Sequence, residues 1–206
     1  MNTRSVMKNH HTFEKTIEHI IRYAQEIMAD VPYQKVLASK EKEMLLESLL
    51  LRACALWESF IEREIIFLTS LDPSQLIKKF CLPVKRGLNI KLIRAIIFSD
   101  SFRDFHDLDR SMTFFREVIS SRFNLFREIT GDQKSKIVFA YKIRNYLAHY
   151  SEFSKMILFN AYKKPPYKYK MFLEPGKFLL KQKGVNFERL LNNFKIVSIQ
   201  MRRFIK

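Results

Sequence analysis

The chain has 206 residues, with 37 Lys and Arg against 21 Asp and Glu, a net charge of +16 and 47% hydrophobic residues. This length and apolar content suit one domain with a real core and exclude wholesale disorder. The four glycines lie too far apart for a Gly-rich phosphate loop, and the two cysteines are too few and too separated for a zinc knuckle or a disulfide framework. We therefore expect a reducing, intracellular compartment and no cofactor.

Charge and hydropathy also bear on location and partners. The N-terminus has no apolar signal segment, and the most hydrophobic stretch, residues 45–57, is interrupted by polar residues. We predict no signal peptide, no membrane-spanning helix and a cytoplasmic location. Residues 151–206 hold 13 Lys and Arg and only 3 acidic residues. Such a basic surface attracts phosphate polyanions, and nucleic acid leads the candidate partners, although an anionic membrane or an acidic protein would satisfy the same electrostatics.

The first half of the chain shows helical periodicity. Apolar residues from Phe13 to Val31 follow a 3.6-residue repeat and predict an amphipathic helix that Pro32 stops. Ser39 can cap a second helix, in which the apolar positions of residues 45–68 cover a wide arc. We expect this long helix to be buried on more than one side.

Shorter elements follow. Asp72 and Pro73 predict the start of a short helix that ends near Pro83. Residues 89–98 and 111–128 give two more helical patterns, joined by a polar loop around residues 100–109.

The last third combines helices with a predicted β-hairpin. Gly131 restarts a helix, and the Lys163–Pro166 break ends the helical part. Residues 167–181 alternate apolar and basic positions around Glu174-Pro175-Gly176, which predicts a hairpin. Asn186 can cap a final helix that runs from Phe187 to Phe204.

One cluster on the helix after Gly131 suits phosphodiester chemistry. Asn145 and His149 are four residues apart and share a face, whereas Arg144 and His149 lie about 140° apart around an ideal helix. Either the helix loosens before His149, or a second copy of the chain completes the site. His149 can transfer a proton near neutral pH, and Arg144 can stabilise the extra negative charge on a five-coordinate phosphorus.

The spacing of Arg and His is a loose pattern by itself. Arg4 with His10 or His11 also matches it, without predicted helical support or a following Asn, and we interpret that match as chance. The match at Arg144 adds Asn145, a helical context and a small residue beside His149. Three residues of the first helix, His11, Glu14 and Glu18, have helical spacing compatible with a metal, but such charges are common there and we assign no metal site.

These residues support a resemblance. The run Arg144-Asn145-xxx-His149 resembles the Arg-x4-6-His motif of the HEPN superfamily. Residues 49–62 are similar to the second helix of stand-alone prokaryotic RiboL-PSP-type HEPN proteins, and residues 172–179 to the Pro-Gly turn after their motif helix. HEPN toxins that pair with nucleotidyltransferase antitoxins have Tyr two positions after the His, and the chain departs from them because Tyr150 follows directly.

The resemblance implies an antiparallel helical bundle that dimerises through its motif helices. It also implies metal-independent endoribonuclease activity, in which the 2′-hydroxyl attacks the adjacent phosphate and leaves a cyclic phosphate. On this basis Arg144 and His149 take the catalytic positions, and Asn145 takes the orienting position. Tyr150 and Glu58 are accessory candidates; Glu58 lies between apolar arcs and either pairs with a cation such as Arg144 or faces water.

The basic C-terminal segment supplies an expected RNA-contacting surface. Lysine ammonium groups are expected to bind RNA phosphates there, and the faces of Tyr162, Tyr167 and Tyr169 are predicted to stack on bases. The alternative is an ordinary solvated hairpin whose lysines protect an exposed edge. The RNA-binding candidates are Lys163, Lys164, Lys168, Lys170 and Lys181.

The sequence thus predicts an all-α, single HEPN-like domain over residues 1–206, with a bundle core at 1–160 and a basic hairpin plus final helix at 161–206. The predicted function is an endoribonuclease that acts as a toxin or antiviral defence effector. We expect a homodimer that an antitoxin or another regulatory protein restrains. One alternative is a non-catalytic HEPN module that binds RNA, nucleotide or a partner protein, and another is a DNA-binding helical protein, although no recognition-helix signature is present.

Overall fold

The computed structural model describes residues 3–29, 38–83, 87–99 and 108–203, and every regular element in these ranges is helical. The predicted all-α class is therefore confirmed. Two 3-10 turns, Ser121–Phe123 and Leu125–Glu128, precede α6. The helices are α1 (Thr3–Met28), α2 (Ser39–Leu71), α3 (Ser74–Lys79), α4 (Ile90–Ile97), α5 (Leu108–Val118), α6 (Gly131–His149), α7 (Glu152–Tyr162) and α8 (Pro175–Arg202).

Some sequence expectations lie outside the described residues: Val31, Pro32, residues 100–107 of the polar loop, and Phe204. In the part of the chain that is described, no helix is long and apolar enough to cross a membrane.

The helices form two compact units. The first unit consists of Met1–Glu14, Leu56–Thr130 and Ile196–Lys206, and the second unit of Lys15–Ala55 and Gly131–Lys195. Helices α1, α2 and α8 contribute residues to both units.

Aromatic packing forms the core of the first unit. Phe13 of α1 stacks on Phe60 of α2 with ring centroids 4.6 Å apart, and it meets Trp57 at 5.8 Å. All three rings are buried, and each such aromatic side chain removes a large apolar area from water. Along α2 as a whole the buried positions cover most of the circumference, which confirms the predicted broad burial of this helix.

The segment predicted as one helix over residues 111–128 is shorter than expected. Helix α5 ends at Val118, and the chain continues through the two 3-10 turns. These turns return Phe126 to an edge-on contact with Phe115, with centroids 4.6 Å apart. A straight helix would carry the two rings, eleven residues apart, about three turns from each other.

The predicted β-hairpin is wrong. Residues 163–174 form turns and irregular chain, and Pro175 begins α8. Proline suits a first helical position because it lacks the N–H that would be unpaired there, and the Gly176 N–H donates to the Glu47 carboxylate at 2.7 Å. A Cβ at Gly176 would lie 2.6 Å from Glu43 Cβ, so this close approach requires glycine.

Aromatic clustering explains why no strand forms in this segment. Tyr162, Tyr167 and Tyr169 all contact Phe178, at centroid distances of 5.1, 5.0 and 6.2 Å. Lys168, between Tyr167 and Tyr169, has a left-handed φ of 52°, which a regular strand does not allow. Packing around one central ring therefore overrides the alternating pattern.

Helix α8 is interrupted near its middle. Residues 181–184 have non-helical backbone angles, and three of them have positive φ. Asn186 was predicted to cap the final helix; instead, its side-chain amide donates to the Phe178 carbonyl at 2.9 Å. This hydrogen bond satisfies a carbonyl that the break leaves without its helical partner.

Candidate active site

The predicted catalytic residues lie in the last two turns of α6. Arg144 and Asn145 are half-buried, whereas His149 is exposed. Arg144 Nη1 donates to Asn145 Oδ1 at 3.1 Å, which orients the guanidinium toward the face that Asn145 shares with His149. Guanidinium, amide and imidazole therefore lie along the exposed end of one helix.

Helix α6 is continuous through His149, so it does not loosen before this residue as one sequence interpretation required. Arg144 and His149 consequently stay about 140° apart around the helix axis. The remaining sequence interpretation is that a second copy of the chain completes the site.

The end of α6 is sharply defined. Tyr150 has a left-handed φ of 45° and donates its N–H to the Tyr146 carbonyl at 2.8 Å. Ser151 then accepts a hydrogen bond from the Ser154 N–H and forms a capping box at the start of α7. These two features stop α6 directly after His149 and leave the imidazole at the helix terminus.

Tyr146, which lies on α6 between Asn145 and His149 in sequence, contacts Tyr150 and Glu174. Its ring lies 5.3 Å from that of Tyr150, and its hydroxyl donates to Glu174 Oε2 at 3.3 Å. Burial, and next the negative charge of Glu174, raise the pKa of Tyr146. The hydroxyl therefore stays protonated at neutral pH and keeps its role as a donor.

Glu58, an accessory candidate, belongs to the first unit, whereas Arg144 belongs to the second. Its side chain is half-buried, and its Oε1 is buried without a hydrogen-bond partner among the residues that the structure describes. The sequence left two interpretations for Glu58, pairing with a cation or facing water. The burial of Oε1 excludes the second interpretation for this oxygen.

The predicted RNA-binding lysines are all exposed, but they lie on the turns after α7 and in the break of α8 rather than on a hairpin. Two of them cover aromatic rings: Lys163 Nζ is 4.2 Å from the Phe159 centroid, and Lys181 Nζ is 4.3 Å from that of Tyr169. Such cation–π contacts hold the ammonium groups near one surface.

The tyrosines predicted to stack on bases are mostly occupied within the protein. Tyr162 is fully buried, so it cannot stack on a base, and Tyr167 and Tyr169 are half-buried against each other with centroids 6.4 Å apart. Burial raises the pKa of Tyr167 to about 12. The expected aromatic surface is thus largely core, and the lysines remain as the exposed part.

Residues with metal-ligand chemistry are engaged elsewhere. Glu14, one of the three residues with metal-compatible spacing, accepts a hydrogen bond from Ser198 at 3.2 Å and contacts Arg202 Nη1 at 3.2 Å. Within residues 3–29, 38–83, 87–99 and 108–203, no group of three or more His, Cys, Asp or Glu side chains is placed to hold a metal ion. Neither cysteine forms a disulfide; Cys54 is buried and Cys81 is exposed.

One residue near the motif was missed by the sequence analysis. Lys142 is half-buried and lies in a cleft beside Lys164. Lys142 lies seven residues before His149, and residues seven apart share a face of a helix after about two turns. This spacing was the signal in the sequence that could have identified Lys142.

Comparison of the chain with protein-family models, with curated proteins and with solved structures gives no match. The HEPN resemblance therefore depends on Arg144, Asn145 and His149, together with residues 49–62 and 172–179.

Proposed function

We propose that the protein is an endoribonuclease of the HEPN type that acts on RNA as a dimer. The observation that carries this proposal is the C-terminal end of α6, where the Arg144 guanidinium donates to Asn145 and His149 is exposed at the helix terminus. The exposed lysines after α7 belong to the same unit. A titratable imidazole and a permanent cation are the groups that general acid–base cleavage of a phosphodiester requires.

In the proposed reaction the RNA 2′-oxygen attacks the adjacent phosphorus, and the bond from phosphorus to the 5′-oxygen breaks. The products are a 2′,3′-cyclic phosphate and a 5′-hydroxyl. His149 takes the proton from the 2′-hydroxyl or delivers one to the departing 5′-oxygen, and Arg144 stabilises the added negative charge on the phosphoryl oxygens. Asn145 orients the guanidinium through the 3.1 Å hydrogen bond.

The dimer part of the proposal has two supports. A continuous α6 keeps Arg144 and His149 about 140° apart, so groups from two chains build a fuller site than one chain does. Directly after the motif, large apolar side chains are exposed: Tyr150 by 65%, Phe153 by 68% and Met156 by 52%. Exposed apolar residues clustered in sequence are typical of an interaction surface.

The biological role that we propose is a cytoplasmic toxin or antiviral defence effector, which a partner protein restrains until it is triggered. A ribonuclease of this kind arrests growth when it is expressed without its partner. We therefore expect the wild-type chain to stop growth and His149→Ala to relieve the arrest, whereas a non-catalytic RNA-binding or partner-binding module would have the same effect with either residue.

The decisive experiment incubates the pure chain with total RNA, with and without EDTA, and maps the new ends. We expect cleavage to persist in EDTA and to leave 2′,3′-cyclic phosphates, because imidazole and guanidinium supply the chemistry. Products with 3′-hydroxyl ends, or activity lost on chelation, would contradict this mechanism. Light scattering at micromolar concentration tests the dimer, and a monomer that still cleaves RNA would contradict the composite site.

A further inference from the structure

A cleft of about 320 Å³ lies within the second unit, between the first half of α6 and the turn after α7. Its volume is at the lower end of the range for small-ligand sites, enough for one nucleotide-sized group. The lining includes Phe139, Lys142, Ala161, Lys164, Pro165 and Tyr167.

The cleft holds two ammonium groups that no described carboxylate neutralises. Lys136, also in the lining, pairs with Asp132 at 2.6 Å, but none of the described ion pairs or hydrogen bonds joins the side chain of Lys142 or Lys164 to an acid. Burial, and next the positive charge of Lys164, lower the pKa of Lys142. Two neighbouring cations without an acid repel each other, and a bound anion would relieve this repulsion.

The backbone fixes the position of Lys164. Its N–H donates to the Ala161 carbonyl at 3.2 Å, and its own carbonyl accepts from Tyr167 N at 3.1 Å and from Lys168 N at 3.2 Å. A tight turn with three hydrogen bonds keeps Lys164 beside α6 without rearrangement. The backbone that carries Lys164 is therefore in place before any ligand arrives, and binding has only the side chain to order.

The lining also contains flat apolar groups. Tyr167 stacks on Phe139 with centroids 4.7 Å apart and an interplanar angle of 27°, and Pro165 is exposed. Two cations, an aromatic pair and a proline in one cleft suit a phosphate that is attached to a planar base.

Lys142 of the cleft lies on the same face of α6 as Asn145 and His149. Lys142, Asn145 and His149 are spaced by three and four residues, so they form one stripe along the helix. From Lys142 to His149 the helix rises roughly 10.5 Å. When a nucleic-acid strand places one phosphodiester at His149, a neighbouring phosphate of the same strand can reach Lys142.

We propose that the cleft between Lys142 and Lys164 is a phosphate subsite for single-stranded RNA, which holds the backbone phosphate of a nucleotide near the bond presented to His149. The choice of RNA and the direction toward His149 rest on the proposed function, whereas the recognition of phosphate rests on the cleft alone.

The test measures RNA binding in a His149→Ala background, by fluorescence anisotropy of a labelled single strand of about ten nucleotides. We expect the double variant Lys142→Gln/Lys164→Gln to weaken binding about tenfold and to reduce the slope of log K against log salt by about 0.7, the loss of one phosphate contact. The control, Lys15→Gln/Lys177→Gln, removes the same charge from exposed positions outside the cleft lining and should have a smaller effect.

Two further measurements exclude loss of side-chain shape and unfolding as explanations for weaker binding. Lys142→Arg keeps the charge and should preserve the salt slope, and thermal melting shows whether each variant is folded. Equal losses in the cleft variant and in the control would overturn the subsite, because surface charge alone would then explain binding. Tighter binding of duplex DNA, with the same dependence on the two lysines, would overturn the assignment to RNA.

A direct probe of the cleft uses NMR of the chain with labelled lysines. Uridine monophosphate should shift the Lys142 and Lys164 signals more than uridine does, because the phosphate is the recognised group. If uridine shifts them equally, the subsite is refuted; if the free nucleotide binds as tightly as RNA, the RNA assignment is refuted. Loss of binding in the cleft variant without any cleavage by the wild type would refute the proposed function alone.

Discussion

The loose pattern of Arg followed by His after four to six residues occurs at His10, His11 and His149, and the structure places His10 and His149 in opposite environments. His10 lies on α1, fully buried, with Nδ1 2.9 Å from Ser198 Oγ and Nε2 3.3 Å from Glu64 Oε2. His149 is exposed at the end of α6, and no hydrogen bond or ion pair among the described residues involves its ring. The His10 ring is enclosed by the protein and cannot reach a substrate, whereas the His149 ring is accessible to one.

The environment of His10 is a connected polar network inside the first unit. Ser198 donates its only hydroxyl proton to Glu14 at 3.2 Å, so His10 Nδ1 donates to Ser198. Asn9 donates to the other oxygen of Glu64 at 2.6 Å. The network joins side chains of α1, α2 and α8, and it leaves His10 Nε2 and Glu64 Oε2 buried 3.3 Å apart without a hydrogen bond.

The comparison shows that a match to the loose Arg-to-His pattern carries no functional meaning until burial is known. The Arg4 match was interpreted as chance because it lacked predicted helical support and a following Asn. The first reason was wrong, since α1 begins at Thr3 and includes Arg4, His10 and His11. The second reason holds, because Ser5 follows Arg4. Burial within the first unit separates His10 from a substrate.

The largest effect is expected from His149→Ala. Removing the imidazole should lower the single-turnover cleavage rate by about 10²–10⁴-fold, the usual contribution of a general acid or base. RNA affinity and the free energy of unfolding should stay near wild type because the side chain is exposed. Near-normal cleavage by this variant would show that His149 does not transfer the proton.

His10→Ala should have the opposite signature. Removing the buried imidazole should lower the free energy of unfolding by about 1–3 kcal/mol, because Ser198 loses its hydrogen-bond partner in a site that is closed to water. Urea denaturation measures this change, and cleavage per folded molecule should be unaltered. The matched control is His11→Ala, an exposed neighbour on α1, for which we expect a change within about 0.5 kcal/mol. Equal effects of the two variants would contradict the structural role of His10.

Ser198→Ala tests whether the network extends beyond the pair of His10 and Glu64. The loss of its hydroxyl leaves His10 Nδ1 and one Glu14 oxygen without this partner, and we expect a cost of about 1–3 kcal/mol in unfolding free energy. In a double-mutant cycle with His10→Ala the two costs should be less than additive. Full additivity would mean that the two side chains stabilise the fold independently.

The smallest effect concerns the surface of the second unit. Replacing Lys168, Lys170 and Lys181 by Glu should weaken RNA binding about tenfold, or ~1.4 kcal/mol. It should also flatten the salt dependence, because fewer counterions are released per complex. The cleavage rate at saturating RNA should survive. Binding isotherms at several salt concentrations, set beside single-turnover rates, measure both quantities, and an unchanged salt slope would exclude these lysines from the RNA surface.

Local patterns were sufficient to predict much of the helical framework. The apolar arc of α2, the Asp72-Pro73 start of α3 and the helix after Gly131 all depend on periodicity and capping within one segment. Asn145 and His149 share a face for the same reason, since a regular helix fixes which residues lie together. These features need only neighbours along the chain.

Tertiary packing decided the rest. Tyr167 and Tyr169 alternate with lysines as in a strand, but they and Tyr162 share a contact with Phe178 that gathers them into a cluster. The predicted Pro175-Gly176 turn becomes the start of α8 against Glu47. The burial of His10 depends on Glu64 and Ser198, which are distant in sequence. The cleft likewise brings Lys164 to Lys142 through the fold of α7 on α6. Sequence periodicity specifies which faces are apolar, whereas contacts between distant segments determine which polar groups are buried, paired or left open to a ligand.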